Sequence, residues 1–273
     1  MLRGKNDSRD IHIRVFMVVA FQLLSIDMVV SLQKTQHVSG DYFKDFERVQ
    51  KEILSLIPSN IKIILDVGVG DSTKNLRKLA DANLIVGIDT DQGNLKKFRH
   101  QHGNDARLAL INADASLLPL RSSPIGVALL YFVLHEVNPQ KHVVMLSALK
   151  EVTQCLIVVE PSPYGCKLYE KFAKIWREAM RSIGRFEEYQ PLEYWVKVLK
   201  LAGLKIRSAK RVPWQYPVPF KVLETIIRST IQEWESLGID YQYIDMMLNF
   251  LNNAKYNVFK WSDLIVIIAD KEK

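Results

Sequence analysis

Cysteine is scarce in this chain: 2 among 273 residues, Cys155 and Cys166. Two thiols build neither a disulfide framework nor a zinc cluster, and no metal site is expected. Low cysteine usage fits a reducing, cytoplasmic location. Long apolar runs are lacking too. The nearest is Val15–Ile26, apolar except for Gln22 and Ser25, and it falls short of the about 20 residues that span a bilayer. It carries no convincing small-residue cleavage site, so a secretory signal is not expected. Residues 1–40 read as an N-terminal extension: an amphipathic helix packed on the domain or an interface, or a stretch upstream of a start at Met28. There is no internal repeat and no low-complexity tract. The composition, 48% hydrophobic and 25% charged, is that of an ordinary globular protein with enough length for a sizeable core.

Charge is unevenly spread. The formal net charge is +7, and Tyr164–Val212 accounts for all of it, with twelve Lys/Arg against five Asp/Glu (12 − 5 = +7). Such a sector can meet an anionic substrate, RNA or a membrane surface, or it can be a solvated face.

Short apolar runs alternate with amphipathic stretches. Residues 41–57 have helical spacing and stop at Pro58. Strands are expected at Ile61–Val67, Leu84–Asp89, Leu108–Asp114, Ile125–Phe132 (continuing through Val133–Val137) and Leu156–Glu160, the last cut by Pro161 and Pro163. Helices are expected over Thr73–Ala80, with Ser72 or Thr73 as N-cap, and over 91–101 and 140–152. This alternation predicts a doubly wound, mostly parallel sheet covered on both faces. Beyond it, 166–183 and Leu192–Ala202 read as helices, Leu204–Val212 as a strand, 218–253 as mostly helical, and Trp261–Asp270 as a last strand. Residues 41–273 are read as one domain. Insertions at about 164–190 and 213–257 are read as a helical cap rich in aromatics.

Ile63-Ile-Leu-Asp-Val-Gly-Val-Gly-Asp-Ser72 is the most informative segment. A buried strand runs into Asp66 and then into Gly68 and Gly70, which let the backbone turn tightly against a ligand. Ligands of doubly wound sheets bind beyond the carboxyl ends of the strands. Asp89, ending the second strand, suits the two hydroxyls of a ribose, with helix capping as the competing role. Asp114 suits an exocyclic amine of adenine, again with capping as competitor. A dinucleotide site prefers a third glycine where Thr73 stands, and Asp71 would turn negative charge towards a phosphate. An adenosyl ligand without phosphates meets neither objection.

At Asp66-x-Gly68-x-Gly70, with Ser72 in place of a last glycine, the chain resembles the class I S-adenosylmethionine-dependent methyltransferases. Asp89 in Val86–Asp91, Asp114 in Asn112–Ser116, and Tyr131-Phe-Val-Leu-His-Glu-Val137 follow in the family's order. Pro124 and Ile125 stand where an acid often opens the fourth strand. The resemblance covers about 41–212 and 258–270. It implies a seven-stranded sheet with an antiparallel final strand. It implies S-adenosylmethionine as cofactor, held by Asp66, Gly68, Gly70 and Asp89, with Thr90, Asp114, Ala115 and Tyr131 around the adenosyl group. It further implies methyl transfer to a small-molecule acceptor, an alignment problem with a base where the acceptor must lose a proton. His135 is the candidate base and Glu160 the candidate acceptor ligand, each with a structural role as the alternative. Tyr42 and Phe43 are lid candidates or helix packing. No Asn-Pro-Pro-Tyr or Asp-Pro-Pro-Tyr segment marks amino-nitrogen methylation of bases or glutamine, and no Pro-Cys supplies a nucleophile for cytosine. Two alternatives stay open: RNA methylation along the basic 164–212 sector, and a non-catalytic methyltransferase-like subunit. Oligomeric state is left open.

Overall fold

The computed structural model describes residues 40–79, 82–103, 105–120 and 125–272; the expected N-terminal extension, with Val15–Ile26 and Met28, lies outside them. Helix α1 (Gly40–Leu54) is the first element of the described residues. It buries Tyr42, Phe43, Phe46, Val49 and Ile53 along one stripe, and Asp41 and Lys51 suit its two ends. Then follow β1 (Ile63–Val67), α2 (Asp71–Leu79), β2 (Leu84–Asp89), α3 (Gln92–His102), β3 (Leu108–Asn112) and β4 (Ile125–Tyr131). Two short 3₁₀ turns, Leu134–Glu136 and Pro139–Lys141, lead into α4 (His142–Val152) and β5 (Thr153–Pro161). The rest is α5 (Lys167–Ser182), α6 (Leu192–Leu201), β6 (Leu204–Val212), α7 (Phe220–Ser236), α8 (Tyr241–Ala254) and β7 (Leu264–Lys271).

The 7 strands form one sheet in the order β3-β2-β1-β4-β5-β7-β6. All neighbours are parallel except β7, which runs antiparallel to both β5 and β6. The expected doubly wound sheet with an antiparallel last strand is the one observed. Strand order reverses between β1 and β4, so the carboxyl ends of those strands flank the crevice where such sheets bind ligands.

Alternation along the parallel strands divides the core in two. Ile64, Ile85, Val127, Leu129, Ile157 and Val159 face α1, α5, α7 and α8. Leu65, Val67, Ile88, Leu130 and Val158 face α4 and α6. The first layer is aromatic: Trp176 of α5 meets Trp234 of α7 edge-on at 5.5 Å, and Phe172 meets Phe250 of α8 at 5.6 Å. α8 packs on both α5 and α7. Tyr42 and Phe43 are wholly buried in this layer, with the Trp261 indole N–H donating to the Tyr42 hydroxyl at 3.1 Å. Packing, not a mobile lid, is their place.

Several expected boundaries move for physical reasons. β3 stops at Asn112, leaving Asp114 in a turn where it accepts from the backbone N–H and hydroxyl of Ser116. The chain does not continue straight beyond β4. Phe132 takes a left-handed conformation, φ 59, and is the non-glycine residue that does so among the described residues. The 3₁₀ turn over Leu134–Glu136 follows. Pro161 does not cut β5 but closes it, in register with Leu264; the missing N–H is tolerated at a strand's end. Neither Ser72 nor Thr73 caps α2 from outside, because the helix starts at Asp71 and Thr73 reaches back from its first turn to accept the Gly70 N–H.

Candidate active site

The glycine turn is built as its residue types require. Gly68 sits at φ 83 and donates its N–H to Ile88 at 2.8 Å, drawing the turn down onto β2. Gly87 on β2 leaves room for it: a Cβ there would stand 2.8 Å from the Val69 side chain. Asp66 is wholly buried beneath the turn. Its Oδ2 accepts from the Thr73 hydroxyl at 2.5 Å and the Ser72 hydroxyl at 3.3 Å, while Oδ1 has no partner. Burial pushes this carboxyl up to about 7, against the two hydroxyl donors that favour its anion.

Asp89 is 1% exposed. Its carboxylate accepts the Val69 N–H at 3.1 Å, the Asp91 N–H at 2.8 Å and the Asn94 side-chain amide at 2.9 Å. It therefore ties the turn to β2. The capping role weighed for Asp89 belongs instead to Asp91, which accepts from Gly93 and Asn94 at the start of α3.

A cavity of about 490 Å³ opens at the same end of the sheet. Thr90, Asp114 and Ala115 line it on one side, Glu136 and Lys141 beyond β4, and Arg185 and Glu187 close it from the segment after α5. Asp114 is half-exposed there, 3.8 Å from Lys141. Of the residues expected at the cofactor, Thr90, Asp114 and Ala115 thus share the cavity. Asp66, Gly68, Gly70 and Asp89 do not line it; Asp89 stands one residue before Thr90. Tyr131 is set back: its hydroxyl accepts from Gln50 at 3.0 Å, and burial raises its pKa.

His135 and Glu160, the two acceptor-side candidates, meet as one wholly buried pair, Nδ1 to Oε2 at 2.6 Å. The other Glu160 oxygen accepts the N–H groups of Val133 at 2.9 Å and Leu134 at 2.7 Å, which fixes the turn after Phe132. The His135 carbonyl accepts the Glu188 N–H at 2.8 Å, pinning the segment after α5 against β4. Burial disfavours the imidazolium, but Glu160, Glu187 and Glu136 together outweigh it and bring His135 up to about 9. His135 does not reach the cavity; Glu136 and Glu187 do.

Glu187 escaped sequence reasoning. It is 3% exposed, takes a hydrogen bond from the Tyr189 hydroxyl, and burial lifts it to about 7 while His135 opposes the shift. Its only sequence signal is an acid placed among aromatics in Phe186–Tyr189.

Residues 65–157 match a family model described as a methyltransferase domain. Among curated proteins none matches. Solved structures share the fold at low identity. One is the (4+2)-cyclase SpnF, with TM-score 0.58 and 15% identity over 83% of this chain and 80% of that one. Another is the cyclopropane synthase MmaA2 from Mycobacterium tuberculosis, with TM-score 0.58 and 11% identity over 83% and 84%. A third is an S-adenosylmethionine-dependent methyltransferase from Mesorhizobium loti, with TM-score 0.52 and 13% identity over 81% and 96%. The matched segment runs from β1 to β5, and the solved structures share the sheet architecture seen here.

Proposed function

We propose that this protein transfers a methyl group from S-adenosylmethionine to a small-molecule acceptor. The observation that carries this reading is a cavity of about 490 Å³ at the carboxyl ends of the strands, running from Thr90, next to Asp89, to Arg185 and Glu187, a volume in the range of small-ligand sites. When bound, the cofactor supplies a sulfonium methyl with a good leaving group, so the chain's work is positioning.

The residues present fit that cofactor. The orphaned Oδ1 of Asp66 is a buried acceptor at the floor of the turn, suited to a cationic amine. Asp89, by its position at the end of β2, is assigned to the ribose hydroxyls, and Thr90, Asp114 and Ala115 to the adenine end of the cavity. Tyr131 is assigned to the wall behind the reacting centre. His135 and Glu160 act together: the pair holds the turn after β4 and aims Nε2 towards Glu187. Segments 164–190 and 213–257 form the cap. Glu233 of α7 lies within the influence of Lys97 on α3 and Arg185, and burial still lifts its carboxyl to about 7.

The basic 164–212 sector supports a solvated surface better than an RNA track. Several of its cations are already paired: Arg181 with Glu188, Arg207 with Asp270, and Lys210 with Glu52 at 2.7 Å. Incubation with radiolabelled S-adenosylmethionine and fractionated cell extract tests the proposal. Label in the small-molecule fraction is expected; label in RNA or protein alone, or in nothing, would overturn it.

A further inference from the structure

Behind the cavity wall beyond β4, buried His135 meets two lining residues, Glu136 and Glu187, in a grouping the methyl-transfer reading does not require. Nε2 of His135 lies 3.6 Å from Oε1 of Glu187 and 3.9 Å from Oε1 of Glu136. Both separations are too long for hydrogen bonds. Nε2 has no hydrogen-bond partner although the side chain is wholly buried. One ligand atom from each residue falls within 4.8 Å of the others. Ligands at zinc-bond lengths in a tetrahedral site stand roughly 3.4 Å apart, so small rotations of the two carboxylates bring all three atoms onto one ion.

The surroundings are those a metal-binding imidazole needs. Glu160 accepts at Nδ1, which leaves Nε2 as the lone-pair donor when the ring is neutral and fixes the ring's orientation. Tyr189 donates to Glu187 Oε1 and so orients that carboxylate. The rings of Tyr189 and Phe132, 5.4 Å and 6.2 Å from the imidazole, hold it from two sides.

We propose that His135 Nε2, Glu136 and Glu187 bind a zinc-class divalent metal ion whose remaining coordination positions open into the cavity. A nitrogen donor beside two carboxylates selects such an ion over magnesium or calcium, which take oxygen ligands. Glu136 and Glu187 both line the cavity. An ion held there therefore faces the acceptor side, where it can polarise an acceptor oxygen. The metal site stands on its own geometry; only that last use of it rests on the methyl-transfer reading.

The test uses the untagged full chain carrying Cys166→Ser, which removes the exposed thiol as an adventitious zinc ligand. After stripping with chelator, the protein is titrated with zinc chloride, desalted and assayed by elemental mass spectrometry. One zinc per chain is expected. Glu187→Gln should weaken retention at least about tenfold, and Glu160→Gln, which touches no metal, by about 10–100-fold; Glu233→Gln should leave it unchanged. Should a variant fail to fold, the parent chain still decides the matter: zinc should raise its melting temperature, and magnesium at the same concentration should not. Substoichiometric zinc in the parent, or full retention by folded Glu187→Gln, would overturn the site. Binding of S-adenosylmethionine is titrated separately, so that loss of one reading leaves the other distinguishable.

Discussion

The two halves of the strand-end rim solve the same problem differently. On the β1–β2 side, Asp66 and Asp89 are held by residues a few positions away or on the adjoining strand: Thr73, Ser72, Val69, Asp91 and Asn94. On the β4–β5 side, His135 and Glu160 depend on each other across two strands and on Glu187 and Glu188 from the segment after α5. The first half is a local motif. The second exists only once α5 has docked. Damage to the local half should therefore act on ligand binding more than on folding, and damage to the assembled half should act on folding as well.

The largest expected effect tests the docking itself. Trp176 is wholly buried against Trp234, and Trp176→Ala should cost about 3–5 kcal/mol in denaturant unfolding. A loss under about 1 kcal/mol would mean that α5 is not anchored by this layer. Glu160→Ala should cost a comparable amount, about 3–5 kcal/mol, because it leaves His135 and two backbone N–H groups without their buried partner. Glu160→Gln keeps an acceptor and should cost markedly less; equal losses would break the comparison. On the local side, Gly68→Ala forces a side chain into φ 83, at about 1–2 kcal/mol of stability, with a larger proportional loss of cofactor affinity by calorimetry.

A pH titration sharpens the contrast further. Burial holds the folded Asp66 carboxyl at about 7, above its ordinary value of 3.8. Folding thus favours the protonated form. The stabilisation is fully present below the ordinary value and is lost as pH rises through about 7. Asp66→Asn stays neutral throughout and should flatten that decline when unfolding is followed across this range. An unchanged pH profile would contradict the buried, proton-bearing Asp66. The smallest effect is at the surface: Lys141→Ala removes a partly exposed pair with Asp114 and should change stability by under about 1 kcal/mol.

The same division explains what the sequence could reveal. The alternation of strands and helices through β5, the turn after Asp66 and the acid at Asp89 are set by neighbours in the chain, and they are legible. Three features were not. The left-handed Phe132 breaks the run from β4 into Val133–Val137, and nothing in an apolar stretch announces a positive φ. Asp91, rather than Asp89, caps α3 because the Asp89 carboxylate is drawn under the turn by the Val69 N–H. Glu187 meets His135 only through the path of α5 and the anchoring of Glu188 on the His135 carbonyl. Such contacts are decided by packing, and a linear reading shows an acid among aromatics without showing what it faces.

Calorimetric titration of the purified chain with S-adenosylmethionine asks whether the strand-end rim holds that cofactor. One site per chain is expected, with affinity lost in Asp89→Ala while the fold persists. No binding, or binding unchanged by Asp89→Ala, would contradict it.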